Sequence, residues 1–118
     1  MKISETAVEF ILEAARGAYP REFVGLLRAK DGVIIETLII PGSKFEKNYS
    51  SIFMHMVPLD LSIVGSVHSH PGPARPSRAD LRFFERGKVN IIAGYPYDFA
   101  SMAAFDAQGR PTTLEIVK

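Results

Sequence analysis

From Ser4 onward the apolar residues Val8, Ile11, Leu12 and Ala15 recur at the i, i+3, i+4, i+7 spacing of a helix that buries one face. Glu9, Glu13 and Arg16 occupy the opposite face, Ser4 is a suitable N-cap, and Pro20, which has no N–H to donate, must end the helix. The pattern then changes to short apolar runs. Phe23 to Leu27 and Val33 to Ile40 read as two buried strands, and Lys30-Asp31-Gly32 supplies the turn of a hairpin. Pro41 to Ser51 is polar and bears Gly and Ser, so it predicts a loop, followed by a short strand around Ile52 to Met56. Ile63 to Ser69 is a further strand. It runs into Pro71-Gly72-Pro73-Ala74-Arg75-Pro76, where the prolines forbid continued sheet or helix. A helix is expected from Ser77 to about Gly87, and then strands over Val89 to Tyr95, Ala100 to Phe105 and Thr112 to Val117. Strands outnumber helices, so the fold class is α/β or α+β: a mixed β-sheet flanked by two main helices.

With 118 residues and 47% hydrophobic positions the chain is long enough to close one core, and residues 1–118 are expected to form a single domain. Fourteen Lys and Arg against thirteen Asp and Glu leave a net charge of +1, so no strong field points to nucleic acid or to an anionic membrane. The chain has no Cys, which removes disulfides, thiol catalysis and zinc sites built on cysteine. His, Asp and Glu remain as metal ligands. No apolar run reaches membrane-spanning length and Met1-Lys2-Ile3-Ser4-Glu5 has no signal-peptide character, so a cytoplasmic protein is expected.

Of three histidines, two lie in His68-Ser69-His70 at the end of a predicted strand. Alternate strand residues project from one face, so both imidazoles can converge on one ion while Ser69 points away. Asp80 follows in the first turn of the next helix. Two His and one carboxylate leave the fourth position of a tetrahedral zinc open, the arrangement of catalytic sites. Taken singly, these features have ordinary explanations. An HxH pair can be two plain strand residues, and Ser77 with Asp80 forms the S-x-x-D pattern of a capping box. Their conjunction brings all four side chains to the C-terminal edge of one strand, where α/β sites lie.

His68-Ser69-His70-Pro71 followed by Pro76-Ser77-x-x-Asp80 resembles the signature of the JAMM (MPN-plus) metalloproteases, in which a remote Glu precedes H-[ST]-H, a spacer and S-x-x-D. Glu22-Phe23-Val24-Gly25-Leu26-Leu27 is similar to the family's E-x-x-G-[LF]-[LF] strand, and the order of elements matches along nearly the whole chain. One departure is the spacer between His70 and Ser77, which has six residues where the usual pattern has seven.

The resemblance implies the MPN/JAMM fold, a curved mixed sheet with flanking helices and a cytidine-deaminase-like architecture. It implies one Zn2+ per chain, held by His68, His70 and Asp80, with Glu22 as general acid/base and Ser77 as an oxyanion donor. Glu22 comes from the resemblance alone; Glu36, Glu46 and Glu85 are equally ionisable. The implied activity is zinc-dependent hydrolysis of isopeptide or peptide bonds after the C-terminal Gly of ubiquitin-like small modifier proteins, as in archaeal-type members. The partners would be those modifiers and their lysine conjugates, and a homodimer stays open. An amidase releasing an amino acid from a sulfur-carrier protein and a non-catalytic MPN scaffold are the alternatives, although scaffolds lack parts of the ligand set that this chain retains.

Several other residues have a structural and a functional reading. His55 reads as a strand or rim residue, and Phe83 and Phe84 as helix anchors. Arg78, Arg82 and Arg86 form a row on one helix face that is either simply solvated or, at Arg78 and Arg82, able to steer an acidic modifier. Tyr95-Pro96-Tyr97 reads as a strand end and turn, and the Pro41 to Met56 region as the segment that would pair with a substrate tail.

Overall fold

The computed structural model describes residues 1–40, 61–78, 80–81 and 87–118. Helix α1 spans Glu5–Ala18 and starts as its sequence requires: the Ser4 side chain accepts the Ala7 N–H at 3.1 Å. It ends where Tyr19 donates its N–H back to the Ala15 carbonyl and Pro20 can supply no further donor. Val8, Ile11, Leu12 and Ala15 are buried as their spacing predicts, joined by Ala7.

Among the described residues, eight strands form one sheet: β1 (Lys2–Ser4), β2 (Val24–Lys30), β3 (Val33–Ile40), β4 (Ile63–His70), β5 (Val89–Gly94), β6 (Met102–Phe105), β7 (Pro111–Thr112) and β8 (Glu115–Val117). Their order across it is β7-β6-β5-β4-β2-β3-β1-β8. The predicted hairpin is β2 and β3, joined through Asp31 and Gly32, both in the left-handed region at φ 53° and 79°. β4 lies centrally, antiparallel to β2 and parallel to β5. Gly65 in β4 permits that close pairing, because a Cβ there would sit 1.5 Å from the Val89 carbonyl oxygen.

The structure differs from these expectations at four points. β1 is too short to show a period of its own; it forms because β3 and β8 offer it partners on both sides, each in parallel. The single strand expected over Thr112 to Val117 is two, β7 and β8, which lie at opposite edges of the sheet. Phe99–Ser101 forms a 3₁₀ turn capped by the Asp98 carboxylate, so β6 starts at Met102 instead of Ala100. The described residues hold one main helix, not two. Arg78, Asp80 and Leu81 are helical, while the remainder of the second predicted helix, with Arg82, Phe83, Phe84, Glu85 and Arg86, lies outside the described residues. So do the Pro41 to Ser51 loop, the Ile52 to Met56 strand, Glu46 and His55. No helix among the described residues is long and apolar enough to cross a membrane.

The sheet has a core on each face. Helix α1 covers one of them, packing Ile11, Leu12 and Ala15 with Leu27, Val67, Ile91 and Ala93. The other gathers Val24, Leu26, Ile92 and Phe105. Because strand side chains alternate, Val67 and Ser69 face α1 while Ser66, His68 and His70 project from the opposite face. On that second face the buried Ser66 hydroxyl donates to Asn90 Oδ1 at 2.8 Å, and Asn90 Nδ2 donates to the Gly87 carbonyl at 3.2 Å.

Candidate metal centre

Three chain segments meet at one edge of the sheet. β4 and β5 run parallel and end together, His70 beside Gly94. β2 runs the other way, so it begins beside that end, with Val24 opposite His68 and Glu22 just ahead of it. The third segment is the proline-rich turn after His70, which delivers Ser77 and Asp80. This is the strand-end position where ligands of α/β sheets gather.

Ser77 and Asp80 form the capping box, and that box also aims a ligand. The Asp80 N–H donates to Ser77 Oγ at 3.1 Å, while the Ser77 N–H donates to Asp80 Oδ2 at 2.8 Å. The carboxylate is thereby held facing the histidines. Asp80 Oδ1 lies 3.3 Å from His68 Nε2, and Asp80 Oδ2 lies 3.4 Å from His70 Nε2. The two imidazole nitrogens are 3.1 Å apart. Ligands at the 2.0–2.1 Å bond lengths of tetrahedral zinc are separated by about 3.3 Å along each edge. The two imidazole nitrogens and the carboxylate, which meets each of them through a different oxygen, lie close to that spacing, and one ligand atom from each residue falls within 4.8 Å of the others, so His68, His70 and Asp80 fit a zinc ion; among the described residues they are the group with metal-binding geometry.

Burial differs along the group in a way that separates roles. The side chains of His68, Asp80 and His70 are 2%, 13% and 18% exposed, whereas that of Glu22 is 42% exposed and its Oε1 stands 3.6 Å from His70 Nε2. Glu22 lies beside the triangle and reaches solvent. All five residues line one cavity of about 460 Å³, completed by Pro71, Gly72 and Pro73.

The electrostatics follow from this packing. Burial alone would raise the Asp80 pKa, but hydrogen bonds from His68 and His70 and from the Ser77 amide hold the carboxyl well below its usual range. His70 is pushed above the ordinary imidazole value, chiefly by its hydrogen bond to Asp80 and further by the Asp80 and Glu22 charges, against the opposing effect of burial. Without an ion the site therefore favours a proton in the same place; a metal must displace it.

The sequence-derived set of Glu22, His68, His70, Ser77 and Asp80 is brought together complete. Glu36 is elsewhere, paired with Arg28 on the hairpin. Arg78 is exposed beside Ser77. Two features of the site were not legible beforehand. Tyr95 and Tyr97, read as a turn, pack with Tyr19 at ring-centroid distances of 5.1 to 6.0 Å, and burial together with the Tyr19 and Glu22 charges raises the Tyr97 phenol. Arg16 secures this cluster by donating to the Tyr97 carbonyl at 2.9 Å. The other is Ser69, whose hydroxyl accepts the buried Phe23 N–H at 2.9 Å. Its orientation away from the histidines follows from alternation, but its partner depends on the register between β2 and β4.

Known proteins resemble this chain along most of its length. The model for prokaryotic homologs of the JAB domain matches residues 4–107, and the chain belongs to that family. It is 40% identical over 126 residues to a protein of Haloferax volcanii named "Probable metalloprotease", covering 98% of this chain and 78% of that one. The crystal structure of a JAB1/MPN domain protein from Archaeoglobus fulgidus superposes with a TM-score of 0.80 at 38% identity over the full length of both chains. A further structure, described as "JAMM: A Metalloprotease-like Zinc Site in the Proteasome and Signalosome", gives a TM-score of 0.79 at 38% identity over 100% of this chain and 98% of the other.

Proposed function

We propose that this chain is a zinc metallopeptidase of the JAMM type that hydrolyses the amide after the C-terminal Gly of ubiquitin-like small modifier proteins, including isopeptides to lysine. The observation that carries the reading is the His68, His70 and Asp80 triangle with Glu22 3.6 Å from His70 in the same cavity. Family membership and the similarity to a named metalloprotease support the metallopeptidase chemistry. The choice of modifier tails rests on the sequence signature.

Zinc bound by His68, His70 and Asp80 would supply a Lewis acid that polarises the scissile carbonyl and acidifies a water to a pKa of about 7. Glu22, exposed and off the ligand triangle, takes the proton of the attacking water and later gives it to the departing amine. The oxygen adds to the carbonyl carbon, the C–N bond breaks, and the free carboxylate and amine leave. Ser77 Oγ accepts from the Asp80 amide, which leaves its own O–H proton available to the oxygen on which negative charge grows.

The decisive assay offers Gly-Gly-tailed modifier conjugates to zinc-loaded and chelator-treated protein. Cleavage should require zinc, and Glu22→Gln should retain zinc while losing about 100-fold to 10,000-fold in rate. A modifier with a bulky penultimate residue should resist, because a thin tail is needed to pass close to the cavity walls. Equal cleavage of the bulky tail would replace the modifier reading with that of a more open amidase, and rapid turnover by Glu22→Gln would remove Glu22 from the proton path.

A further inference from the structure

The carboxylate assigned to proton transfer belongs to a segment with little regular structure. Glu22 and Phe23 precede β2, whose ladder with β4 begins at Val24 opposite His68. Ahead of them the chain has just left α1 and passed Pro20. What ties the segment to the metal-bearing strand is Ser69. Its hydroxyl accepts the Phe23 N–H at 2.9 Å, and its own N–H donates to the Phe23 carbonyl at 3.0 Å. Both residues are buried, with Ser69 completely inaccessible, and the Phe23 ring enters the core beneath α1. The two bonds clamp both backbone polar groups of Phe23 to the residue that stands between His68 and His70.

We propose that Ser69 is a positioning residue for Glu22: its hydroxyl, on the sheet face opposite the ligands, sets the height and direction at which the Glu22 carboxylate enters the metal cavity. The backbone carbonyl contact survives any substitution at this position, because it uses the Ser69 amide. The Phe23 N–H does not have that security. Without the hydroxyl it becomes a buried donor with no acceptor, which the chain relieves by turning the Glu22-Phe23 peptide toward water. The carboxylate then leaves its station beside His70 while the histidines, on the other face, keep theirs. A displacement near 1 Å of a reacting group costs on the order of 100-fold in rate.

This inference rests on Glu22 being the proton carrier, and a combined series on the zinc-loaded protein tests the two ideas apart. Ser69→Ala should keep zinc and lower kcat roughly 10-fold to 100-fold with little change in KM. In the Glu22→Gln background the same change should cost less than about twofold, since the group it positions has already lost its function. Ser69→Thr, which keeps the hydroxyl, should restore most of the activity. Backbone amide exchange gives a readout independent of turnover: the Phe23 amide should be strongly protected in the native protein, unlike its Glu22 neighbour, and should lose that protection selectively in Ser69→Ala. An equal loss in both backgrounds would make Ser69 a merely structural residue. Fast exchange at Phe23 in the unaltered protein would overturn the proposal whether or not any variant folds, and loss of zinc in Ser69→Ala would place its effect on the ligands instead. If Glu22→Gln turns over normally, the proposal falls with the assignment of Glu22.

Discussion

Adding one methyl group at Gly94 perturbs the wall of the metal cavity without touching a ligand. Gly94 pairs with His70 at the end of β5, and a Cβ there would lie 2.8 Å from the Ala74 nitrogen, 2.9 Å from the Gly72 oxygen and 3.1 Å from the Ser101 oxygen. All three are backbone atoms, so no side chain can swing aside. Ordinary contacts of this kind begin near 3.4 Å, as for carbon atoms in general. The proline-rich turn must therefore recede by about 0.5 Å, stretching the 3.1 Å bond from the Tyr95 N–H to the Gly72 carbonyl. Overpacking of this sort costs about 1–3 kcal/mol, which for a chain of this size lowers Tm by about 4–12 °C. Gly72 and Pro73 line the cavity and lead to Ser77 and Asp80, whereas two of the three ligands, His68 and His70, are held in the ladders of β4. Gly94→Ala should thus retain zinc, melt earlier and hydrolyse substrate more slowly. Thermal melting, zinc analysis and a turnover assay on one preparation check all three consequences. A variant that melts and turns over like the parent would show that the turn yields freely, and the argument for a rigid cavity wall would be wrong.

The remaining expectations concern the ligands and their protons. Purified protein should hold about one zinc per chain, and Asp80→Ala should lose it, together with about 1 kcal/mol of helix capping that a melt of the metal-free form would register. Ser77→Ala should keep the metal but slow the chemical step by about 100-fold or more through the missing donor, as pre-steady-state hydrolysis would report. Zinc affinity should fall as pH drops, beginning above the ordinary imidazole value of 6.5, because the His70 proton held by Asp80 must be expelled; competition with a chelator across this range would measure it. The metal-free protein should show the reverse trend at its upper end: a raised His70 pKa contributes stability that is complete below the unfolded value and is lost as pH rises through the folded one. A metal-free Tm that climbs steadily through neutral pH would contradict that account.

Local chemistry determined much of this protein before any folding was considered. The helix from Ser4 follows from apolar spacing and an N-cap, and the hairpin from Asp31-Gly32 between two apolar runs, because each depends on neighbours a few residues away. His68 and His70 share a face for the same reason: strand alternation is a property of the backbone itself. The capping box of Ser77 and Asp80 was equally readable. Tertiary structure decided what these local pieces mean together. The register of β2 against β4, formed by residues about 35 to 44 positions apart, sets Glu22 beside His70 and Phe23 against Ser69, and nothing in the spacing distinguished Glu22 from Glu36. The division of Thr112 to Val117 between two opposite sheet edges, and the existence of β1, likewise depend on distant strands that offer unpaired backbone groups. Folding also turned an ordinary helix cap into one side of a metal triangle, because the Asp80 carboxylate that accepts the Ser77 amide meets the imidazoles only once the proline-rich turn has brought the helix start back over the end of β4.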